Sequence, residues 1–396
     1  MKGTLIVLAF FCFYCPGIVL SAQSVERSSG VVKLDMRKEA GRVSDEESVR
    51  VRIPMVQKPV VQMADQARGF TWLSPTVSSV KTAEGNYTIE VTINAEENIR
   101  FVNIFINNQF IRNVIPPVST IRQMVIKEDV ELALGVNDLR VEAISTSGKK
   151  EVSQVEIVYD ISSATYYALV IAVEEYDDPN IVDLEQPVKD AEQFAALIGE
   201  EYTFEPGHIT FMKNPTKADI IGTLHHMRSV VGPSDNLLIY YAGHGYWDEE
   251  MSTGYWLPRD ARRDNPVDWL PNTDLTNYLN VLKTKHTLLI ADACFSGGIF
   301  KTRAAFNDVM GIEKLYRLPS RKAITSGNLN EVPDKSVFVE YLIRRLDSNR
   351  RQYLSSEQLY SSLREAVYNN SPNVPQYGTI QNVGDEGGDF IFIRRR

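Results

Sequence analysis

Cysteine is nearly absent. Three occur in the 396-residue chain, and two of them, Cys12 and Cys15, fall inside one N-terminal apolar run. No disulfide framework can be drawn from them, and a chain this long has a core large enough to stand without staples. Basic charge is also short: 42 Lys and Arg face 51 Asp and Glu, a net charge of −9. That balance offers no basic face to nucleic acid or another polyanion. Beyond residue 20 no apolar run is long enough to cross a membrane. The five histidines have no ligand spacing among themselves or with Cys294, which leaves no metal site to assign.

What the N-terminus does have is Lys2, an apolar run from Leu5 to Leu20 interrupted by Pro16-Gly17, and small Ser21-Ala22 before polar sequence. This is the pattern of a secretory signal over residues 1–22, with an uncleaved membrane anchor as the competing reading. The expectation is an exported protein, periplasmic or extracellular, with a membrane partner only if the segment is retained. Cleavage would leave Cys294 as the sole thiol of a protein in an oxidising compartment. A buried, inert cysteine is the plain alternative. Its place at a strand end favours a nucleophile.

Residues 23–69 are polar and charged and read as a linker. From 70 to 160 the pattern becomes short alternating runs between turn residues: Tyr87 to Ile93, Val102 to Ile106, Ile121 to Ile126, Asp138 to Ile144 and Val152 to Tyr159. About seven strands in so short a stretch predict an antiparallel β-sandwich that resembles immunoglobulin-like modules. The default role of this module is a spacer, with recognition of a partner as the rival. Over 165–396 apolar strands alternate with helical periods, which predicts a mostly parallel sheet covered by helices on both faces. Expected helices include Pro187 to Ile198, Thr216 to Val230, Thr273 to Leu282, Ser336 to Leu346 and Ser355 to Val367.

Two buried strands in this second domain end alike. Asn236 to Ala242 runs into Gly243-His244-Gly245, and Thr287 to Ala293 runs into Cys294-Phe295-Ser296-Gly297-Gly298. Open α/β sheets place their chemistry at such carboxyl ends. The separation of about 50 residues is the one noted for caspase-type His and Cys. The paired motifs Tyr240-Tyr241-Ala242-Gly243-His244-Gly245 and Asp292-Ala293-Cys294-Phe295-Ser296-Gly297 resemble those of caspase-like cysteine peptidases, nearest to bacterial caspase-domain proteins and metacaspases. Gly254 to Pro258, Ser336-Val337-Phe338 and Glu386 to Phe390 are similar to stretches that recur in the bacterial members. Unlike animal caspases, Asp292-Ala293 rather than Gln-Ala precedes the cysteine.

Amide hydrolysis needs a nucleophile, a proton carrier and oxyanion donors. Cys294 and His244 supply the first two as a dyad, since no third acid stands at a diagnostic spacing. The resemblance implies the backbone amides of Gly245 and Cys294 as the oxyanion hole. It also implies an S1 pocket that pairs Asp292 with an Arg or Lys side chain of a protein or peptide substrate. Asp190, in Lys189-Asp190-Ala191, resembles a second pocket carboxylate, while Ala242 stands where the family often has serine.

The chemistry requires no cofactor. Calcium as an activator is implied by the metacaspase likeness, and Asp248-Glu249-Glu250, Asp260, Asp264 and Asp268 are available acids without EF-hand spacing. Basic residues at 301, 303, 314, 317 and 321 make the segment 299–322 a candidate for self-cleavage. The rival readings are a catalytically silent caspase-like interaction protein and a cysteine-dependent acyl or peptidyl transferase. The oligomeric state is left open.

Overall fold

The computed structural model describes residues 69–293, 299–301, 311–327 and 335–395, together with the backbone of Ala22–Ser28 and Val31–Met36. The chain divides into two compact units, 1–61 and 62–396. In the first, Ala22–Ser28 and Val31–Met36 pair antiparallel within the stretch read as a linker. The expected signal segment 1–22 lies almost wholly outside the described residues.

The second unit opens with eight strands in two sheets. Phe70–Ser74, Asn86–Asn94 and Gln123–Glu131 form one; Ser79–Thr82, Gln109–Val114, Ile99–Ile106, Gly135–Ser145 and Lys150–Tyr159 form the other. Period-two alternation sends Ile89, Val91 and Ile93 inward from the first sheet to meet Ile104, Val141 and Ile157 of the second. Each such side chain, once buried, contributes about 1.5–3 kcal/mol. Trp72 joins this core and satisfies its indole by donating Nε1–H to Ser153 Oγ at 3.0 Å.

The rest of the unit is built on seven strands: β1 (Tyr166–Ala172), β2 (Ile209–Lys213), β3 (Asn236–Ala242), β4 (His286–Asp292), β5 (Phe300–Lys301), β6 (Ser320–Thr325) and β7 (Gln376–Ile380). Their order is β2-β1-β3-β4-β6-β7-β5. The first five are parallel, β7 runs antiparallel to β6, and β5 pairs antiparallel with β7. Neither β5 nor β7 is apolar enough to stand out in the sequence, because each is too short or too polar to alternate clearly.

Helices α1 (Pro187–Glu201), α5 (Val337–Ser348) and α6 (Ser356–Asn370) cover one face. They pack on Val170, Leu238, Tyr240, Leu288 and Ile290. Helices α2 (Lys217–Val230) and α3 (Asn272–Val281) cover the other, against Ile171, Ile239, Tyr241, Leu289 and Ala291. Thr216 and Ser355 start α2 and α6 with reciprocal capping boxes to Asp219 and Gln358. The closing strand Ile391–Ile393 pairs with Tyr353–Ser355 and stays outside the large sheet.

The sandwich meets the α/β domain at the amino ends of the parallel strands. Short helix α4 (Ile312–Arg317) carries Arg317, which donates to Glu131 and to the Leu132 carbonyl at 2.5 Å and lies over the Tyr159 ring. Lys285, immediately before β4, pairs with Glu84 at 2.8 Å. A seven-residue strand such as β4 spans about 20 Å. The module therefore grips the sheet at the opposite end from Asp292.

Candidate active site

Strands β3 and β4 are adjacent, parallel and in register from Asn236↔His286 to Ala242↔Asp292. The Gly243 amide then donates to the Asp292 carbonyl at 3.4 Å. His244 and Cys294 each follow the last paired residue of their strand by two positions. Cys294 and its neighbours 295–298 lie outside the described residues.

His244 is held on three sides. Its ring Nε2 donates to the Val182 carbonyl at 2.8 Å, which selects the tautomer whose Nδ1 bears the lone pair. Its backbone amide donates to the Tyr176 hydroxyl at 2.9 Å, and the two rings sit 5.1 Å apart. Its carbonyl accepts from Tyr241 Oη at 2.7 Å and from the Leu257 amide at 3.1 Å. Gly243, at φ +154°, makes the turn, and a Cβ there would lie 3.0 Å from Tyr241 Oη and 3.1 Å from the Val173 carbonyl. Gly245 begins a short antiparallel strand, Gly245–Asp248, opposite Trp256.

Tyr176 and Val182 were not singled out by the sequence. They come from the loop after β1, which folds back because Asp183 Oδ1 accepts the Tyr176 amide at 2.9 Å and the Leu184 amide donates to the Glu174 carbonyl at 2.8 Å. A backbone carbonyl thus orients the imidazole where no acid stands at a diagnostic spacing. No side-chain pattern can announce it.

Asp292 continues the inward alternation of Leu288 and Ile290 and so enters the apolar face under α1 and α5. Burial pushes its carboxyl up to about 6. Ser336, the N-cap of α5, and Ser326 beside it favour the ionised form, while the Asp190 carboxylate opposes it. Asp190 sits in the first turn of α1, so the structure brings the two acids within electrostatic reach of each other. Tyr240, on the same face and stacked on Phe194 at 4.7 Å, has its phenol raised well above the usual range by burial and then by Asp292 and Asp190. Ala242, buried, is the register neighbour of Asp292.

The other histidines have structural surroundings. His286 is buried, bonds Ser320 Oγ at 2.8 Å and the Tyr316 carbonyl at 3.0 Å, and is held neutral by a pKa lowered to about 3 through burial. The His208 ring lies 4.6 Å from that of Tyr167, tilted by 36°, just before β2 starts at Ile209. His225 and His226 lie on the exposed side of α2.

Two of the acids named for calcium serve the loops that carry them. Asp248 Oδ1 accepts the Met251 amide and Asp260 Oδ1 the Lys217 amide, both at 2.9 Å. Among the described residues no three His, Cys, Asp or Glu side chains group to hold a metal.

The candidate cleavage segment is largely folded where it is described. Lys314 and Arg317 are in α4, and Arg321 is buried in β6, donating to the carbonyls of Thr284, Lys285 and Ser320. A peptidase needs extended, accessible chain, which the fold does not offer at these three residues, contrary to the expectation of cleavage there. Lys301 lies in β5, and Arg303 falls outside the described residues.

The model of the caspase domain matches residues 165–383, more than half of the chain. The chain belongs to the caspase-domain peptidase family. Solved structures similar to it include a protein from Geobacter sulfurreducens, 17% identical over 54% of this chain and 93% of its own, with a TM-score of 0.40. Caspase-1 from Spodoptera frugiperda is 14% identical over 55% of this chain and 87% of its own, at a TM-score of 0.41. Fibronectin(III)-like modules of CbhA from Clostridium thermocellum match 22% of this chain and 93% of theirs at 14% identity and a TM-score of 0.19. No curated protein matches the chain. As a caspase-domain protein the chain has the expected α/β architecture, preceded by an all-β module. Among the described residues no helix is long and apolar enough to cross a membrane.

Proposed function

We propose that this caspase-domain protein is an exported cysteine endopeptidase that cuts peptide bonds after Arg or Lys. The observation that carries the reading is the shared register of β3 and β4, which ends with Ala242 beside Asp292, two residues short of His244 and Cys294. Nδ1 of His244 takes the proton of the Cys294 thiol, because Nε2 is already committed to Val182. The thiolate adds to the scissile carbonyl carbon, and the amides of Gly245 and Cys294 hold the resulting oxyanion. The imidazolium returns its proton to the leaving amine, the C–N bond breaks, and a thioester remains. Water, deprotonated by His244, then releases the carboxyl product and the free thiol. Asp292 and Asp190 bind the P1 cation and repel an acidic side chain.

No cofactor enters these steps. Calcium as an activator remains a proposal, tested by assaying with a chelator and with added calcium. The decisive experiment profiles fluorogenic Arg, Lys, Asp and Asn substrates on wild type and Cys294→Ala, and labels Cys294 with an Arg-based thiol-reactive peptide. Cleavage and labelling lost in Cys294→Ala are the expected result. A wild-type protein that neither labels nor cleaves any of the four is a silent domain. Transfer of the acyl group to an added amine in preference to water makes it a transferase.

A further inference from the structure

Building on the reading of a pocket for a basic side chain, we propose that Ser326 is a specificity-determining residue that holds the substrate's cation together with Asp292. The warrant is a row of three side chains across three strands. Ala242 on β3 is the register partner of Asp292 on β4. On the far side of β4, Ala291 pairs with Thr325 and the Ser326 amide donates to the Ala291 carbonyl at 3.0 Å, which sets Ser326 beside Asp292. Neighbours in register on parallel strands share a face about 4.8 Å apart. Along the floor of the pocket the row reads methyl, carboxylate, hydroxyl.

These residues are 1%, 6% and 1% exposed, in that order. Buried polar atoms ordinarily find partners, yet Asp292 Oδ1 and Ser326 Oγ make no hydrogen bond of full geometry among the described residues, although Ser326 lies close enough to favour the ionised carboxylate. The Tyr240 hydroxyl, one step back on the same face, also makes none. The free carboxylate oxygen and the serine oxygen, side by side at the ends of neighbouring strands, can both accept from one donor that bridges them, while the serine's own proton is free to turn toward Asp292. A guanidinium presents its N–H groups in a rigid planar fork and accepts nothing, whereas an ammonium is compact and centred on one partner. The row therefore suits arginine better than lysine. It also answers the loss at position 242: the hydroxyl missing on one flank of Asp292 is supplied on the other.

The test compares wild type, Ser326→Ala and Ser326→Ala/Ala242→Ser on fluorogenic peptides with Arg, Lys or norleucine at P1. Ser326→Ala is expected to lower kcat/KM for Arg about tenfold, mostly through KM, with a smaller loss for Lys and none for norleucine. The double variant regains part of the Arg rate. Unchanged Arg cleavage, or equal losses on all three substrates, overturns the assignment. A second measurement needs no turnover: calorimetric binding of agmatine to Cys294→Ala with and without Ser326→Ala. Weakening by a similar factor supports the role of Ser326. Equal binding overturns that role and leaves the basic pocket standing. No binding to either protein defeats the pocket and Ser326 together.

Discussion

Replacing Asp292 by asparagine removes a carboxylate that strand alternation sends into the apolar layer under α1 and α5. Its pKa rises from 3.8 to about 6, chiefly through burial, and a rise of that size corresponds to about 3 kcal/mol. The sign follows from which state binds the proton more tightly. The folded protein holds it to higher pH than the unfolded chain does, so this group's relative stability is fully present below about pH 4 and is lost as pH rises through 6. Asp292→Asn should then exceed wild type by up to about 3 kcal/mol at pH 8 and match it near pH 4. Urea unfolding of both proteins at the two pH values, followed by near-ultraviolet circular dichroism, measures the difference. A variant no more stable than wild type at pH 8, or a gap unchanged at pH 4, refutes the argument. The same titration should appear in specificity. The ratio of kcat/KM for P1 Arg over its neutral isostere citrulline cancels the dyad's own ionisations. It should rise about tenfold between pH 5 and 7 in wild type, following the fraction of ionised Asp292, and stay flat in Asp292→Asn.

Three further outcomes follow from the geometry. Tyr176→Phe leaves the His244 amide without its 2.9 Å acceptor; kcat should fall about tenfold with KM nearly unchanged, read by steady-state kinetics. Gly243→Ala places a methyl against Tyr241 Oη and the Val173 carbonyl at a φ that side chains rarely adopt. A loss of about 1–3 kcal/mol in chemical denaturation, together with loss of turnover, is expected. Arg317→Ala removes the contacts to Glu131, Leu132 and Glu313 at the sandwich junction. With Glu131 largely exposed, the cost should be about 1–2 kcal/mol, and limited proteolysis between the modules should quicken while P1 preference is unchanged.

The caspase-domain architecture was legible because its strands and helices announce themselves locally. Val170, Leu238 and Leu288 belong to continuous apolar runs, and Thr216 and Ser355 are cap residues with their partners three positions on. The β5 and β7 strands were not legible, since two or five mixed residues carry no clear period. Nor was α4, which hid in a segment read as a cleavage loop and turned out to tie the sandwich to the sheet through Arg317.

The site divides along the same line. Glycine-flanked His244 and the strand leading to Cys294 are contiguous motifs, and the inward parity of Asp292 follows from Leu288 and Ile290 on its own strand. The carbonyl of Val182 under the imidazole, Asp190 facing Asp292 from α1, and Ser326 completing a row with Ala242 depend on how separate strands line up and how a loop returns. Register between parallel strands is set by the crossovers and the packing of whole faces, so contacts between residues far apart in the chain exist only once the core has closed around them.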